Sequence, residues 1–255
     1  MVCHCGIINS NYLTGQIMAE MKGLLYEGKA KQVYETDNPE HVIVRFKDTA
    51  TAFDGKKRED LADKGILNNA ISNILFRRLE AKGIDTHLVE VLNDRDIVAK
   101  KLSIIPLEVV ARNVVAGSLA KRTGLAEGTE IAGGILEFYY KDDDLGDPLL
   151  NKDHISFLKL ASEQDVKKLE ILAHQINQLL IDIFSTVGLI LVDFKLEFGR
   201  FKDKIILGDE ISPDTCRLWD AETKKVMDKD RFRKDMGDVT AVYREVLDRL
   251  QKLEG

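Results

Sequence analysis

The stretch "LILVDFKLEFG", residues 189 to 199, constrains the fold more than any other in the chain. It starts as core and then carries Asp193, Lys195 and Glu197 at alternate positions. Side chains on a strand alternate between faces, so these three charges point one way and Phe194, Leu196 and Phe198 the other. The apolar face packs. The charged face must meet water, a counter-charge or a ligand, and an exposed ion-pair ladder is the plain alternative to a site. After a short polar turn comes "KIILGDEISPDTCRLWD", which reads as a return strand through Ile205, Ile206 and Leu207. That hairpin brings Asp209 and Glu210 back beside the acids of the first strand, in a register the sequence leaves open. Converging carboxylates need a positive partner. A hard divalent ion is the usual one, and Mg²⁺ is typically held by one or two carboxylates plus substrate phosphates. Glu197 and Asp209 are therefore the candidate Mg²⁺ ligands.

Elsewhere "LLYEGKAKQVYET" and "HVIVRFKDT" read as two strands joined at Asn38-Pro39. "DIVAKKLS" and "LEVVARNVV" read as further strands, separated near Pro106. Leu67, Ile71, Ile74, Leu75 and Leu79 recur at helical spacing, with Gly83 as a stop. A longer helix begins after Ser162, an N-cap with Asp165 three residues on, and ends at Gly188. The last helix covers about 238 to 253. Residues 127 to 154 read as an irregular, loop-rich excursion whose acidic run is solvated. The order of elements is that of an α+β fold. The expected divisions are an N-terminal extension over 1–20, a small sheet lobe over 21–105 and a larger α+β lobe over 106–255.

Composition narrows the function. The chain has 255 residues and a net charge of -6, which argues against a nucleic-acid partner. No apolar run approaches the roughly 18 residues of a membrane span, and the N-terminus is a poor signal peptide. Three cysteines make no disulfide framework. Cys3, His4 and Cys5 lack a second ligand pair and read as tail, not as a zinc site. The expectation is a reduced, cytoplasmic protein.

Three further stretches carry chemistry. In "YEGKAKQVY", Gly28 permits close backbone approach, and Lys29 and Lys31 alternate on one strand face, as in a cover over phosphates; two surface lysines on an edge strand are the alternative. No Walker A or GxGxxG motif occurs. "RNVVAGS" sets Arg112 ahead of a Gly117-Ser118 turn, which suits a phosphate ester or, more plainly, a helix entry capped by Ser118. "SPDTCRLWD" and "DKDRFRKDMG" add Arg217, Arg231 and Arg233. Trp219 reads as core. Cys216 has no His/Asp pair in evident reach and is not read as a nucleophile.

Together, in this order, "YEGKAKQVY", "RNVVAGS", "LVDFKLEFG", "GDEISPDTCRLWD" and "DKDRFRKDMG" resemble the bacterial type of the SAICAR synthetase family over about residues 22 to 250. The resemblance implies a small antiparallel sheet lobe over a larger α+β lobe with ATP in the cleft between them. It implies ligation of CAIR to L-aspartate with cleavage of ATP to ADP and phosphate, and a homodimer. Lys29 and Lys31 match lysines at the ATP phosphates. Lys101 and Leu102, in "AKKLSI", match the stretch whose backbone meets adenine. Glu197 and Asp209 match magnesium-site acids. Arg112 and Ser118 match residues holding the CAIR phosphate. Asp193, Lys195, Arg217 and Arg233 match residues around CAIR. Asp54 and Lys141 match further active-site positions. Asp193, Lys195 and Lys29 are the catalytic candidates, Asp193 as a guessed base. A small-molecule kinase and a non-catalytic nucleotide sensor are the competing functions.

Overall fold

The computed structural model describes residues 19–53 and 55–253. Asp54, the Cys3-His4-Cys5 cluster and nearly all of the expected 1–20 extension lie outside the described residues. The chain opens with β1 (Leu24–Glu27), β2 (Lys31–Glu35) and β3 (His41–Phe46). The first segment, expected as one strand, is thus two. The antiparallel pair β1 and β2 turns at residues 28–30, where the Gly28 N–H donates to the Lys31 carbonyl at 2.8 Å. A small hairpin follows, β4 (Thr49–Ala52) with β5 (Lys57–Asp60), which the periodicity did not announce. After α1 (Lys64–Glu80), β6 (Leu88–Val91) and β7 (Asp96–Lys100) complete a five-stranded sheet in the order β1-β2-β3-β7-β6.

The chain then enters β8 (Ser103–Val114). The expected break at Pro106, and the expected boundary at 105, fall inside this strand. Between Glu197 and Gly199 the pairing with the neighbouring strand shifts, so Pro106 sits where the ladder is already irregular and its missing N–H does no harm. Next come α2 (Gly117–Thr123), β9 (Glu130–Tyr140), β10 (Leu149–Leu150) and α3 (Lys152–Phe157). The excursion expected over 127–154 is therefore mostly ordered. Its eleven-residue β9 pairs with β8, and Gly133 and Gly134, at φ 77° and 70°, interrupt the alternation that would have announced it.

The long helix α4 (Glu163–Thr186) begins as expected, with Ser162 and Asp165 in a reciprocal capping box. Val166, Leu169, Ile176, Leu180 and Phe184 bury its apolar stripe. Each fully buried aliphatic side chain contributes about 2 kcal/mol. The stripe packs on the six-stranded sheet whose centre is β11 (Leu189–Phe201). Three strands border β11: β8, β12 (Lys204–Leu207) in the expected hairpin, and β13 (Cys216–Asp220). The chain ends with α5 (Asp230–Arg233) and α6 (Val239–Gln251), which packs on α1. A parallel bridge between Thr86 and Leu207 ties the start of β6 to the end of β12, and so joins the two sheets.

The register explains the charged face. Glu197 lies opposite Glu108, Lys195 opposite Val110 and Asp193 opposite Arg112. Across β8, Glu108 lies opposite Tyr139 and Val110 opposite Glu137. Directly opposed residues share a face. One face of the sheet thus takes the apolar load against α4, and the other collects most of the chain's unusual charges.

Candidate active site

A cleft of about 410 Å³ lies over that charged face. Ten of the expected residues line it: Lys29, Lys31, Arg112, Lys141, Asp193, Lys195, Glu197, Asp209, Arg217 and Arg233. Nine of them fall into two groups, and Lys29 stands apart on Asp143.

One group is a ladder of carboxylates and ammoniums. Lys195 Nζ donates to Glu108 Oε1 and Glu197 Oε1, both at 2.7 Å, and lies 4.0 Å from Asp209 Oδ2. Lys141 Nζ donates to the same Glu197 oxygen at 2.7 Å. Lys31 donates to Asp209 and lies 3.5 Å from Glu210. The hairpin makes this possible, because the Gly208 N–H donates to the Glu197 carbonyl at 2.9 Å and sets Asp209 beside Glu197. Burial opposes the charges of Asp209, Lys195 and Lys31, but proximity overrides it at all three. Asp209 is held well below the usual carboxylate range by Lys31 and Lys195. Lys195 is raised by Glu197, Asp209 and Glu108, and Lys31 by Asp209 and Glu210. At the outer members burial wins, and the carboxyls of Glu108 and Glu210 are pushed up.

The other group is an arginine cluster around Asp193. Arg112 is 3% exposed. Its Nη1 donates to Asp193 at 2.9 Å, its Nε to Glu137 at 2.6 Å, and its Nη2 to Ser118 Oγ at 3.1 Å and the Tyr139 hydroxyl at 3.0 Å. Arg217 donates to Asp193 and, through Nε, to Asp230 at 3.1 Å. Arg233 shares Asp230. Gly117 lies tight against this cluster. Its φ is 54°, and a Cβ there would meet an Arg217 nitrogen at 2.6 Å. Only glycine meets both conditions at low cost.

The remaining expectations divide. Ser118 touches the site through Arg112 and does not line the cleft. Lys29 lies in the turn rather than on the Lys31 strand, yet still lines the cleft and reaches Asp143 at 2.7 Å. The acidic run read as solvated therefore supplies Asp143 and Asp147 to the cleft wall. Lys101 and Leu102 lie outside the cleft lining. Lys101 donates its N–H to the Glu40 carbonyl and faces a separate shallow groove. Leu102 packs so closely on Gly199 that a Cβ there would meet it at 2.7 Å. Cys216 lines the cleft, but burial pushes its thiol far up, which removes it as a nucleophile.

Sequence reasoning missed Glu108, Asp214 and Lys229. Glu108 was legible, since Glu108, Val110 and Arg112 alternate on one strand. Asp214 sits on the cleft floor between Lys64 Nζ at 2.6 Å and the Tyr243 hydroxyl at 2.7 Å. Three distant segments meet there, and no local pattern points to it. Burial lowers the Lys229 ammonium beside it. Among the described residues no group of three or more His, Cys, Asp and Glu is arranged to hold a metal unaided.

Residues 24–250 match the family described as SAICAR synthetase. The phosphoribosylaminoimidazole-succinocarboxamide synthase of Bacillus cereus (strain G9842) is 57% identical over 228 residues, which span 89% of this chain and 95% of that protein. The crystal structure of phosphoribosylaminoimidazole-succinocarboxamide synthase from Ehrlichia chaffeensis aligns with a TM-score of 0.88 at 48% identity, covering 90% of this chain and 98% of that one. A SAICAR synthetase (Type-2) in complex with ADP aligns with a TM-score of 0.86 at 50% identity, covering 88% and 96% of the two chains.

Proposed function

The chain belongs to the SAICAR synthetase family, and from that membership and the two-part cleft we infer how it works as an ATP-dependent ligase that condenses CAIR with L-aspartate to give SAICAR, ADP and phosphate. The observation that carries the assignment of roles is the split of the cleft into an ammonium–carboxylate ladder and an arginine cluster, with Lys195 and Asp193 two residues apart on β11 where the two meet.

The arginine cluster suits the CAIR phosphate. Arg217 and Arg233 offer forked donors matched to phosphate oxygens, and Arg112 adds its charge while donating to Ser118, Asp193, Glu137 and Tyr139. The ladder suits the nucleotide phosphates, and nucleotide binding itself is supported by the chain's likeness to a SAICAR synthetase in complex with ADP. Lys29, Lys31 and Lys141 supply the ammoniums. Glu197 and Asp209 suit a hard divalent ion, because both carboxylates already face one cation, the Lys195 ammonium, at 2.7 and 4.0 Å. Bound by that pair and the phosphates, Mg²⁺ would neutralise charge on the transferring phosphoryl group.

The reaction needs a better leaving group than a carboxylate oxygen. Seating CAIR by its phosphate on the arginines directs its carboxylate toward Lys195 and the ladder. Transfer of the γ-phosphoryl group to an oxygen of that carboxylate releases ADP and gives an acyl phosphate; the neutral aspartate amine then attacks the carbonyl carbon, phosphate leaves, and the nitrogen gives up a proton to form the amide. The residues chiefly position the reactants and stabilise charge. Lys195, between the two groups, is the residue best set to follow the transferring charge.

A homodimer and a cytoplasmic location accompany this reading through the family likeness. No helix among the described residues is long and apolar enough to cross a membrane. The test is ADP release with Mg-ATP, CAIR and L-aspartate, each omitted in turn. Release that requires all three, with a succinylated product by mass spectrometry, is expected. Release without aspartate points to a kinase, and no release under any combination points to a nucleotide sensor.

A further inference from the structure

Glu108 stands directly opposite Glu197 across the β8–β11 ladder. Two carboxylates in that position repel unless a cation lies between them. Lys195 is that cation, at 2.7 Å from each. Glu197 alone would already satisfy Lys195, and Lys141 reaches Glu197 as well. A second carboxylate on the same ammonium adds negative charge that this arrangement does not need. It makes sense in a different arrangement, one in which Glu197 is engaged elsewhere.

The ladder has such an arrangement built into it. Three ammoniums occupy the carboxylates of Glu197 and Asp209: Lys141, Lys195 and Lys31. When those carboxylates turn to a divalent ion, each ammonium is repelled and needs another partner. The Lys141 side chain is 40% exposed and can swing toward solvent or a phosphate. Lys31 has Glu210 at 3.5 Å. Lys195 is flanked by β8 and has Glu108.

We propose that Glu108 is a positioning residue that keeps the Lys195 ammonium in place when Glu197 and Asp209 are drawn to a divalent cation. This rests on the metal reading given above. Without Glu108, Lys195 stays on Glu197 and Asp209 and competes with the metal for them.

The test is Mn²⁺ binding in the presence of ADP, followed by electron paramagnetic resonance, on the full chain. Glu108→Gln is expected to weaken Mn²⁺ binding about 10-fold, the scale on which residues behind metal ligands act. In a Lys195→Gln background the same change is expected to have less than about a 2-fold effect, because the competitor is gone. Equal weakening in both backgrounds would mean that Glu108 acts through its own charge, and would overturn the proposal. So would unchanged binding in Glu108→Gln. Should that variant fail to fold, Glu108→Asp shortens the reach to Lys195 and is expected to act in the same direction. Glu197→Gln separates the two levels: if it retains wild-type Mn²⁺ binding, the metal reading falls and the proposal with it. If Glu197→Gln loses binding while Glu108→Gln does not, only the proposal falls.

Discussion

Arg217 Nη1 donates to both oxygens of Asp193, at 3.0 and 2.8 Å. Arg112 takes the second oxygen as well, at 2.9 Å. A carboxylate shared by two guanidiniums is poorly placed to receive a proton from the aspartate amine. Asp193 fits better as the post on which the arginine cluster is aimed. Asp193→Asn is expected to raise KM for CAIR at least tenfold with a smaller change in kcat, and to lower stability by about 2 kcal/mol, since Arg112 keeps Glu137 and Arg217 keeps Asp230. Steady-state kinetics and urea unfolding measure both. A fall in kcat of several orders of magnitude with KM for CAIR unchanged would restore Asp193 as the base.

The parts of the fold and of the site that were legible in the sequence share one property: their signal is local. The Asp193, Lys195 and Glu197 face needs only the period of a strand, and the Ser162 cap only four residues. Lys29 misled for the same reason. The alternation of "GKAK" continues unbroken through a turn, so nothing in the pattern marks where β1 ends and β2 begins. Pro106 misled because a residue without an N–H reads as a break, whereas an irregular pairing tolerates it inside a strand. The Asp214 floor, with Lys64 from α1 and Tyr243 from α6, is assembled by tertiary packing and has no local signature.

Glu197→Gln tests the ladder. Glutamine keeps an acceptor oxygen for Lys141, and Lys195 keeps Glu108, so stability is expected to change by only about 1 kcal/mol. Turnover is expected to fall by at least about 100-fold, the scale for removing a group that stabilises transition-state charge. Kinetics together with a thermal melt separate the two effects. Wild-type turnover would remove Glu197 from the metal site.

Gly117→Ala tests the geometry of the arginine end. The backbone at φ 54° disfavours a side chain, and the added carbon would displace the Arg217 guanidinium. A stability loss of about 1–2 kcal/mol is expected from the backbone alone. KM for CAIR is expected to rise while KM for ATP holds, because the ladder lies on other residues. An equal rise in both would count against the division of the cleft.

Asp228 links the arginine cluster to pH. It is fully buried and accepts the N–H groups of Leu218 at 2.8 Å and Asp230 at 2.7 Å. Burial first, and then the neighbouring Asp230 charge, push its carboxyl from 3.8 up to about 7. Between those values the folded protein holds a proton that the unfolded chain releases. The contribution of Asp228 to stability is therefore fully present below about pH 4 and is lost as pH rises through about 7. The slope reaches at most about 1.4 kcal/mol per pH unit. Asp228→Asn has no such proton. Subtracting its unfolding free energy from that of the wild type, pH by pH, cancels the other titrating groups, and the difference is expected to decline from pH 4 to pH 7. A flat or rising difference would mean that Asp228 is ionised in the fold. Asp230 would then face a second negative charge at the point where it holds Arg217 and Arg233.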